Sequence, residues 1–262
     1  MPQSVVVLES DAAVGAHAAQ LVFAALRRAS EEGGVFVLGC PSGRTPRSTY
    51  QALARLIEEH QQSISHVTIA MMDEYLLQNA DGAFSNVDAA EHFSCAGFAM
   101  REIHQVLNAA APAGGKMPVA NVRFPDAQSP GAYEEFLRSV GVNVFLLASG
   151  ASDGHVAFNP RGTLRREGTR IVRIADGTRQ DNLGTFPGFK SLEEVPLYGV
   201  SVGPATIAEV SQLVVMQLIG AHKRQAFDRI AAAAAYDLDW PSTIVRECKS
   251  YCILADSAAA GR

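Results

Sequence analysis

The sequence predicts an α/β protein whose open, mainly parallel sheet is flanked by helices on both faces, in a Rossmann-like arrangement. Two observations support this fold class. Short apolar runs alternate with helical patterns along the 262 residues. The runs also lack the polar alternation of a sheet that faces water on one side, so both faces of each strand are expected to be buried. Strands separated by helices in this way indicate parallel βαβ connections.

The elements follow from the local patterns in chain order. Strands are predicted at residues 35–39, 67–72, 142–148, 195–202 and 251–255. Helices are predicted at residues 10–30, 45–59, 88–110, 130–140 and 204–235. Pro46 falls in the first turn of the second helix, where its missing N–H costs no hydrogen bond. The small-residue segment 109–115 is too short to separate two domains, so residues 1–262 are expected to form one domain.

The composition of the chain argues against several classes of function. A net charge of −5 and a pI near 5.8 argue against non-specific binding of nucleic acid. No stretch reaches the roughly 20 apolar residues of a membrane span, and the first residues lack the pattern of a signal peptide. A cytoplasmic protein is expected, and its oligomeric state, including a homo-oligomer, is left open. The four cysteines lack the spacing of a metal site and are expected to be buried, reduced thiols.

Three predicted strands end in polar residues. In an open parallel sheet, ligands bind at the carboxyl ends of the strands. The first of these strand ends is the segment at residues 40–45, the second carries Asp73 and Glu74, and the third is Asp153-Gly154-His155. Because the carboxyl ends of parallel strands share one edge, these three segments are expected to converge. Their convergence predicts an active site more strongly than any single motif does.

The first strand end has the form strand, loop, helix. Backbone N–H groups of Ser42, Gly43 and Arg44 are expected near a helix amino terminus, where the helix dipole favours an anion. The hydroxyls of Ser42 and Thr45 and the guanidinium of Arg44 add further donors. Read alone, the loop fits a phosphate site and an ordinary capped helix start equally well. Lys223, farther along the chain, could add a point charge to a bound phosphate.

The other two strand ends carry groups suited to proton transfer. Asp73, leaving a buried strand, could act as a general base on a carbon-bound proton, although an isolated Asp-Glu pair more often caps a turn. Asp153 and His155 are two residues apart, so both side chains can face one ligand. A carboxylate in that position can orient the imidazole ring, which transfers protons near neutral pH.

These motifs, in this order and spacing, resemble the glucosamine-6-phosphate deaminase/isomerase family, which shares its fold with the 6-phosphogluconolactonases. The resemblance rests on residues 39–46, 72–75, 153–159 and 202–203, and on Lys223. It implies isomerisation of an open-chain sugar phosphate without a metal or organic cofactor. Asp73 would shuttle the proton between C1 and C2, and His155, oriented by Asp153, would assist ring opening. Ser42, Gly43, Arg44, Thr45 and Lys223 would hold the phosphate.

Two positions depart from the deaminase pattern. Pro160 stands where the family has a glutamate that completes a relay with the histidine, and Glu167 from the following loop is a candidate replacement. Gly184 stands where a phosphate-binding arginine is expected, with Arg44 or Arg161 as candidates to compensate. Residues 156–159 are nevertheless closer to the deaminases than to the lactonases, so deamination is the first expectation. An isomerase of another sugar phosphate, a 6-phosphogluconolactonase and a non-catalytic sugar-phosphate sensor remain as alternatives.

Overall fold

The computed structural model describes residues 3–262. Its main sheet has seven parallel strands in the order β1-β11-β10-β7-β2-β3-β6. These strands are β1 (Ser4–Leu8), β2 (Phe36–Cys40), β3 (Val67–Met71), β6 (Val122–Arg123), β7 (Val142–Ala148), β10 (Ser211–Leu218) and β11 (Tyr251–Asp256). The predicted open, mainly parallel sheet is confirmed.

A second, antiparallel sheet has the order β5-β4-β9-β8. Its strands are β4 (Asp73–Gln78), β5 (Phe84–Asn86), β8 (Arg170–Arg173) and β9 (Tyr198–Ser201). Of these, the sequence pattern indicated only the region of β9. The two sheets are joined directly at Met72, the single residue between β3 and β4.

The helices lie between and after these strands. They are α1 (Asp11–Glu31), α2 (Arg47–Glu59), α3 (Cys95–Phe98), α4 (Gln105–Ala110), α5 (Pro130–Val140), α6 (Asp176–Thr185), α7 (Pro204–Val210), α8 (Arg224–Ala232) and α9 (Ser257–Ala260). A π-helical segment, Ala99–His104, joins α3 to α4, so the predicted helix at 88–110 begins only at residue 95. Short 3₁₀ segments lie at Val119–Asn121, Leu192–Glu194, Ala221–Lys223 and Pro241–Glu247.

Both faces of the parallel sheet are covered, as expected from its apolar strands. Along β7, Val144 and Leu146 belong to the cluster that includes α1 and α2. Phe145 and Leu147 belong to the opposite cluster, together with residues of α5, α7 and α8. Within residues 3–262, no helix combines the length and the hydropathy needed to cross a membrane.

The helix predicted at residues 204–235 is wrong in its central part. Residues 204–210 and 224–232 are helical, but β10 lies between them and pairs with β7 and β11 in the middle of the sheet. Seven of its eight residues are buried, so the strand shows no alternation of period two. A short apolar segment buried on all sides cannot be distinguished from a buried helix by periodicity. Because Lys223 follows this strand, it lies at the same sheet edge as the three predicted strand ends.

Candidate active site

A cleft opens at the carboxyl edge of the parallel sheet. Its walls come from the segments that follow β2, β3, β7 and β10, and from α6. Seven of the eight predicted site residues line it: Ser42, Gly43, Arg44, Thr45, Asp73, His155 and Lys223. Asp153 contacts the His155 ring at the edge of the cleft. The expected convergence of these segments is therefore present in the structure.

Asp73 is the first residue of β4 and is only 4% exposed. Burial raises the pKa of this carboxyl from 3.8 to about 7, a hydrogen bond from Cys95 opposes the rise, and the neighbouring Glu74 adds to it. A carboxyl with a pKa near 7 is partly ionised at neutral pH and can both accept and return a proton. The geometry and protonation of Asp73 therefore suit a proton shuttle.

Asp153 and His155 form a short hydrogen-bonded pair. The Nδ1 atom of His155 lies 2.7 Å from Oδ1 of Asp153, and the backbone N–H of His155 donates to the same oxygen at 3.2 Å. Thr178 on α6 donates to the other carboxylate oxygen at 3.2 Å. Burial disfavours the ionised carboxylate, but these hydrogen bonds and the charge of a protonated ring outweigh it. The pKa of Asp153 is held well below its ordinary value.

Two glycines make room for this pair. Gly154 has φ +66°, a left-handed backbone conformation, and an added Cβ would lie 2.4 Å from the Trp240 ring. A Cβ on Gly150 would lie 2.1 Å from Oδ1 of Asp153 and 2.2 Å from Nδ1 of His155. Only a residue without a side chain fits at either position without displacing the pair or the indole.

The loop after β2 presents free donors to the cleft. α2 begins at Arg47 rather than at residue 45, and Pro46 is its N-cap, so residues 41–46 form an open turn. Among residues 3–262, no acceptor is paired with the backbone N–H groups of residues 42–45. Within residues 3–262, the hydrogen-bond partner of the Ser42 hydroxyl is the thiol of Cys95, at 3.4 Å, and the Arg44 side chain is exposed. Unpaired N–H groups beside a cation suit an anionic ligand.

Lys223 adds a second basic side chain to the lining of the cleft. Its Nζ donates to the backbone oxygen of Ser149 at 2.6 Å, and its side chain is buried. Burial lowers the pKa of Lys223, the carboxylates of Asp181 and Asp153 oppose this, and Arg44 adds to it. Arg44 and Lys223 line the same cleft, so both charges are available to one bound anion.

Three residues are candidates to replace the glutamate missing at Pro160 and the arginine missing at Gly184, and the structure places only one of them at the cleft. Glu167 does not line the cleft: it is paired with Arg170, and its carboxylate accepts from the Leu164 N–H at 3.2 Å. Arg161 is exposed, donates to the backbone oxygen of Ser152, and stacks over Trp240. Gly184 is exposed and has open space beside it. Of the candidates, only Arg44 lies at the cleft.

Sequence analysis missed several residues of the cleft. Four of them lie on α6: Thr178, Asp181, Asn182 and Thr185. The family resemblance marked only Gly184 on this helix, as the place of the missing arginine, and the packing of the helix over Asp153 could not be deduced from spacing. Ligand atoms of Asp153, His155 and Asp181 all lie within 4.8 Å of one another. This cluster is the group in residues 3–262 whose spacing could hold a metal ion, but Asp153 and His155 already bond each other.

Comparison with known proteins now identifies the family. The family model for glucosamine-6-phosphate isomerases/6-phosphogluconolactonase matches residues 9–254. The chain belongs to this family. The glucosamine-6-phosphate isomerase of Candida albicans is 31% identical over 241 residues, covering 86% of this chain and 86% of that protein. The glucosamine-6-phosphate deaminase of Beutenbergia cavernae is 30% identical over 261 residues, covering 98% of this chain and 92% of that protein.

Solved structures in the family share the fold. A monomeric glucosamine-6-phosphate deaminase superposes with a TM-score of 0.84 at 22% identity, covering 99% of both chains. The 6-phosphogluconolactonase of Trypanosoma cruzi gives a TM-score of 0.69 at 16% identity, covering 100% of this chain and 97% of that one. Both branches of the family therefore have the same architecture as this chain.

The raised pKa of Asp73 predicts how stability depends on pH. Below pH 3.8 the carboxyl is protonated in the folded and the unfolded chain alike. Between pH 3.8 and about 7 the unfolded chain loses the proton first, so the contribution of Asp73 to stability is lost as pH rises through this window. Asp73→Asn removes this dependence. Relative to the wild type, its free energy of unfolding should rise by roughly 2–4 kcal/mol from pH 4 to pH 8.

Urea unfolding at the two pH values measures this difference. Asp239→Asn, which replaces an exposed carboxyl, controls for the loss of one negative charge. A difference between Asp73→Asn and the wild type that stays constant across the range would contradict the raised pKa.

Proposed function

We propose that this protein isomerises and deaminates an amino-sugar 6-phosphate of the glucosamine 6-phosphate type, giving a ketose phosphate and ammonia. The observation that carries the proposal is the buried Asp73 carboxyl, whose pKa is near neutrality, in the same cleft as the His155–Asp153 pair. Relatives named as glucosamine-6-phosphate deaminases or isomerases support the choice of substrate.

The reaction begins with ring opening. The Nδ1 atom of His155 is engaged by Asp153, which leaves Nε2 to exchange a proton with the sugar. The protonated imidazole gives its proton to the ring oxygen as the bond from C1 to that oxygen breaks. The imidazole then takes up the proton that the C1 hydroxyl loses as it becomes the aldehyde oxygen, so the ring regains its proton. Because Asp153 remains ionised, it stabilises the protonated ring and fixes its orientation.

Proton transfer at carbon follows. Asp73 takes the proton from C2 of the open-chain aldehyde, and an enolamine forms as the C1 oxygen gains a proton from the His155 ring. Asp73 then returns its proton to C1, which leaves a protonated imine at C2. Water adds to C2, the bond from C2 to nitrogen breaks, ammonia leaves, and the proton that the water releases returns to His155. One water molecule is consumed for each ammonia released, and Asp73 ends the cycle in its initial state.

The phosphate would bind at the other end of the cleft. The free backbone N–H groups of residues 42–45, the hydroxyls of Ser42 and Thr45, and the charges of Arg44 and Lys223 are its proposed ligands. Arg44 takes the place of the arginine that is missing at Gly184. Hydrogen bonds from charged donors to a phosphate are among the strongest that side chains make.

Asp181 is our candidate for the acid that Pro160 cannot supply. It lines the cleft, and its carboxylate lies within 4.8 Å of a carboxylate oxygen of Asp153 and a ring nitrogen of His155. In this position it can exchange protons with the substrate or stabilise the protonated His155 ring. The acid would then come from α6 rather than from the segment that follows His155.

Isomerisation of a sugar phosphate without deamination is the second candidate. The presence of Pro160 favours it, since the relay acid typical of deaminases is absent from that position. The two candidates share ring opening and the Asp73 proton shuttle, and they differ only in whether nitrogen leaves.

Turnover of glucosamine 6-phosphate tests the proposal directly. Purified protein should release fructose 6-phosphate and ammonia in equal amounts, each followed in a coupled assay. Asp73→Asn should lower kcat at least about 100-fold, because general acid–base groups contribute this much. Ketose phosphate without ammonia from other aldose phosphates would favour the second candidate. Hydrolysis of 6-phosphogluconolactone alone, or binding without any turnover, would overturn the proposal.

The phosphate site makes a separate prediction. Arg44→Ala should raise KM for the sugar phosphate roughly 10-fold, with a smaller change in kcat, because one charge-assisted contact is lost. Arg47→Ala is the matched control, since Arg47 pairs with Glu102 outside the cleft. Equal effects of the two substitutions on steady-state kinetics would show that Arg44 does not bind the phosphate.

The role of Asp181 is tested by moving the acid. Asp181→Asn should lower kcat about 10-fold or more, if it takes the part of a general acid–base group. The double variant Asp181→Asn/Pro160→Glu places an acid where deaminases carry one and should recover part of that loss. Asp176→Asn, on the same helix but outside the cleft, should leave kcat unchanged. Full activity in Asp181→Asn would exclude this role.

A further inference from the structure

Cys95 is buried beside the proposed base. It is the first residue of α3, has no exposed surface, and its Sγ lies 3.3 Å from Oδ1 of Asp73. We propose that Cys95 is a positioning residue for the reaction, whose thiol donates a hydrogen bond that orients the Asp73 carboxyl and keeps it ionisable within the protein interior. The inference rests on the proposed role of Asp73 as the base.

The thiol is in the protonation state that this role requires. Burial raises the pKa of Cys95 well above its ordinary value, and the negative charges of Asp73 and Glu74 raise it further. At neutral pH the group is therefore S–H and can donate to a carboxylate. The Ser42 hydroxyl lies 3.4 Å from the same sulfur and can donate to it. A chain of hydrogen bonds thus runs from the phosphate-binding loop through Cys95 to Asp73.

Glu74 fixes the sulfur in place. Its carboxylate accepts from the backbone N–H groups of Cys95 at 2.9 Å and of Ala96 at 2.7 Å, and from the Ser94 hydroxyl at 3.0 Å. It also accepts from the Tyr75 N–H at 2.8 Å. These bonds tie the start of α3 to β4. The two adjacent acids have distinct tasks: Glu74 anchors the backbone of Cys95, and Asp73 receives its thiol.

The surroundings of Asp73 show why this contact matters. Burial and Glu74 disfavour its ionised form. Tyr75 on β4 and Tyr133 on α5 are close, and the pKa of each is raised well above its ordinary value, so both stay neutral. The charged or titratable side chains of Arg44, His155 and Lys223 line the same cleft. Within residues 3–262, the hydrogen bond to the Asp73 side chain comes from Cys95.

Removing the thiol should therefore shift the acid limb of the pH profile. In Cys95→Ala, the midpoint of the acid limb of kcat/KM for glucosamine 6-phosphate should rise by about 0.5–1 pH unit, the equivalent of one ordinary hydrogen bond. At pH 6 this corresponds to a loss of roughly 3–10-fold, whereas the plateau at high pH should change little. Cys95→Ser keeps a donor and should restore most of the wild-type profile.

Cys248→Ala is the matched control. Cys248 is also a buried thiol, but its Sγ donates to the backbone oxygen of Ile244, and it does not line the cleft. The acid limb of the kcat/KM profile of Cys248→Ala should match that of the wild type. An unchanged acid limb in Cys95→Ala, or a uniform loss of rate at every pH, would overturn the proposal and leave Cys95 with a packing role.

A second measurement does not depend on turnover. The infrared carboxyl band of Asp73, obtained as the difference between each protein and its Asp73→Asn derivative, can be titrated directly. The titration midpoint should be higher in Cys95→Ala than in the wild type, and Cys95→Ser should remain close to the wild type. If no tested sugar phosphate is converted, the proposed function fails, but this titration still decides the role of Cys95. Equal midpoints in all three proteins would refute it.

Discussion

The passage of the chain from one sheet to the other at Met72 determines where the reactive carboxyl lies. The Met72 N–H donates to the backbone oxygen of Cys40 at 3.2 Å, and its own oxygen accepts from the Val202 N–H at 2.8 Å. The backbone is thus bonded to both neighbours just before Asp73. Asp73 then pairs with Ser201 in the antiparallel sheet. The Asp73 side chain, attached at this junction, is buried and lines the cleft.

The two carboxyls of the site have opposite protonation behaviour for a simple reason. Both are removed from water, which alone would favour the neutral acid. Asp153 receives hydrogen bonds from the ring and backbone of His155 and from Thr178, and these outweigh burial. Asp73 receives one weak hydrogen bond from a thiol, and burial prevails. The number and strength of donors therefore separate a permanent anion from a group that exchanges protons.

Sequence reasoning succeeded where local pattern and topology act together. The apolar runs of β2, β3 and β7 were recognisable, and the rule that parallel strands end at one edge brought together Ser42, Asp73 and His155. It failed for β10, because a strand buried on both faces shows the same hydrophobicity as a buried helix.

Residues that reach the site only through tertiary packing were not predictable. Cys95 and Asp181 lie far in sequence from the residues that they contact, and neither belongs to a motif. Glu167 and Arg161 lie outside the cleft, where they interact with Arg170 and Trp240, respectively. These contacts could not be deduced from the sequence either. Spacing along the chain carries no information on such pairings.

The ten residues of α6 form a compact part of the site. Four of its side chains line the cleft, while none of them belongs to either sheet. The strand ends that carry Asp73 and His155 are constrained by the sheets and by close glycine contacts. Thr178 on this helix bonds Asp153, and Asp181 is the proposed acid. Substrate range within such a scaffold is therefore expected to diverge at the other two cleft residues of α6, Asn182 and Thr185.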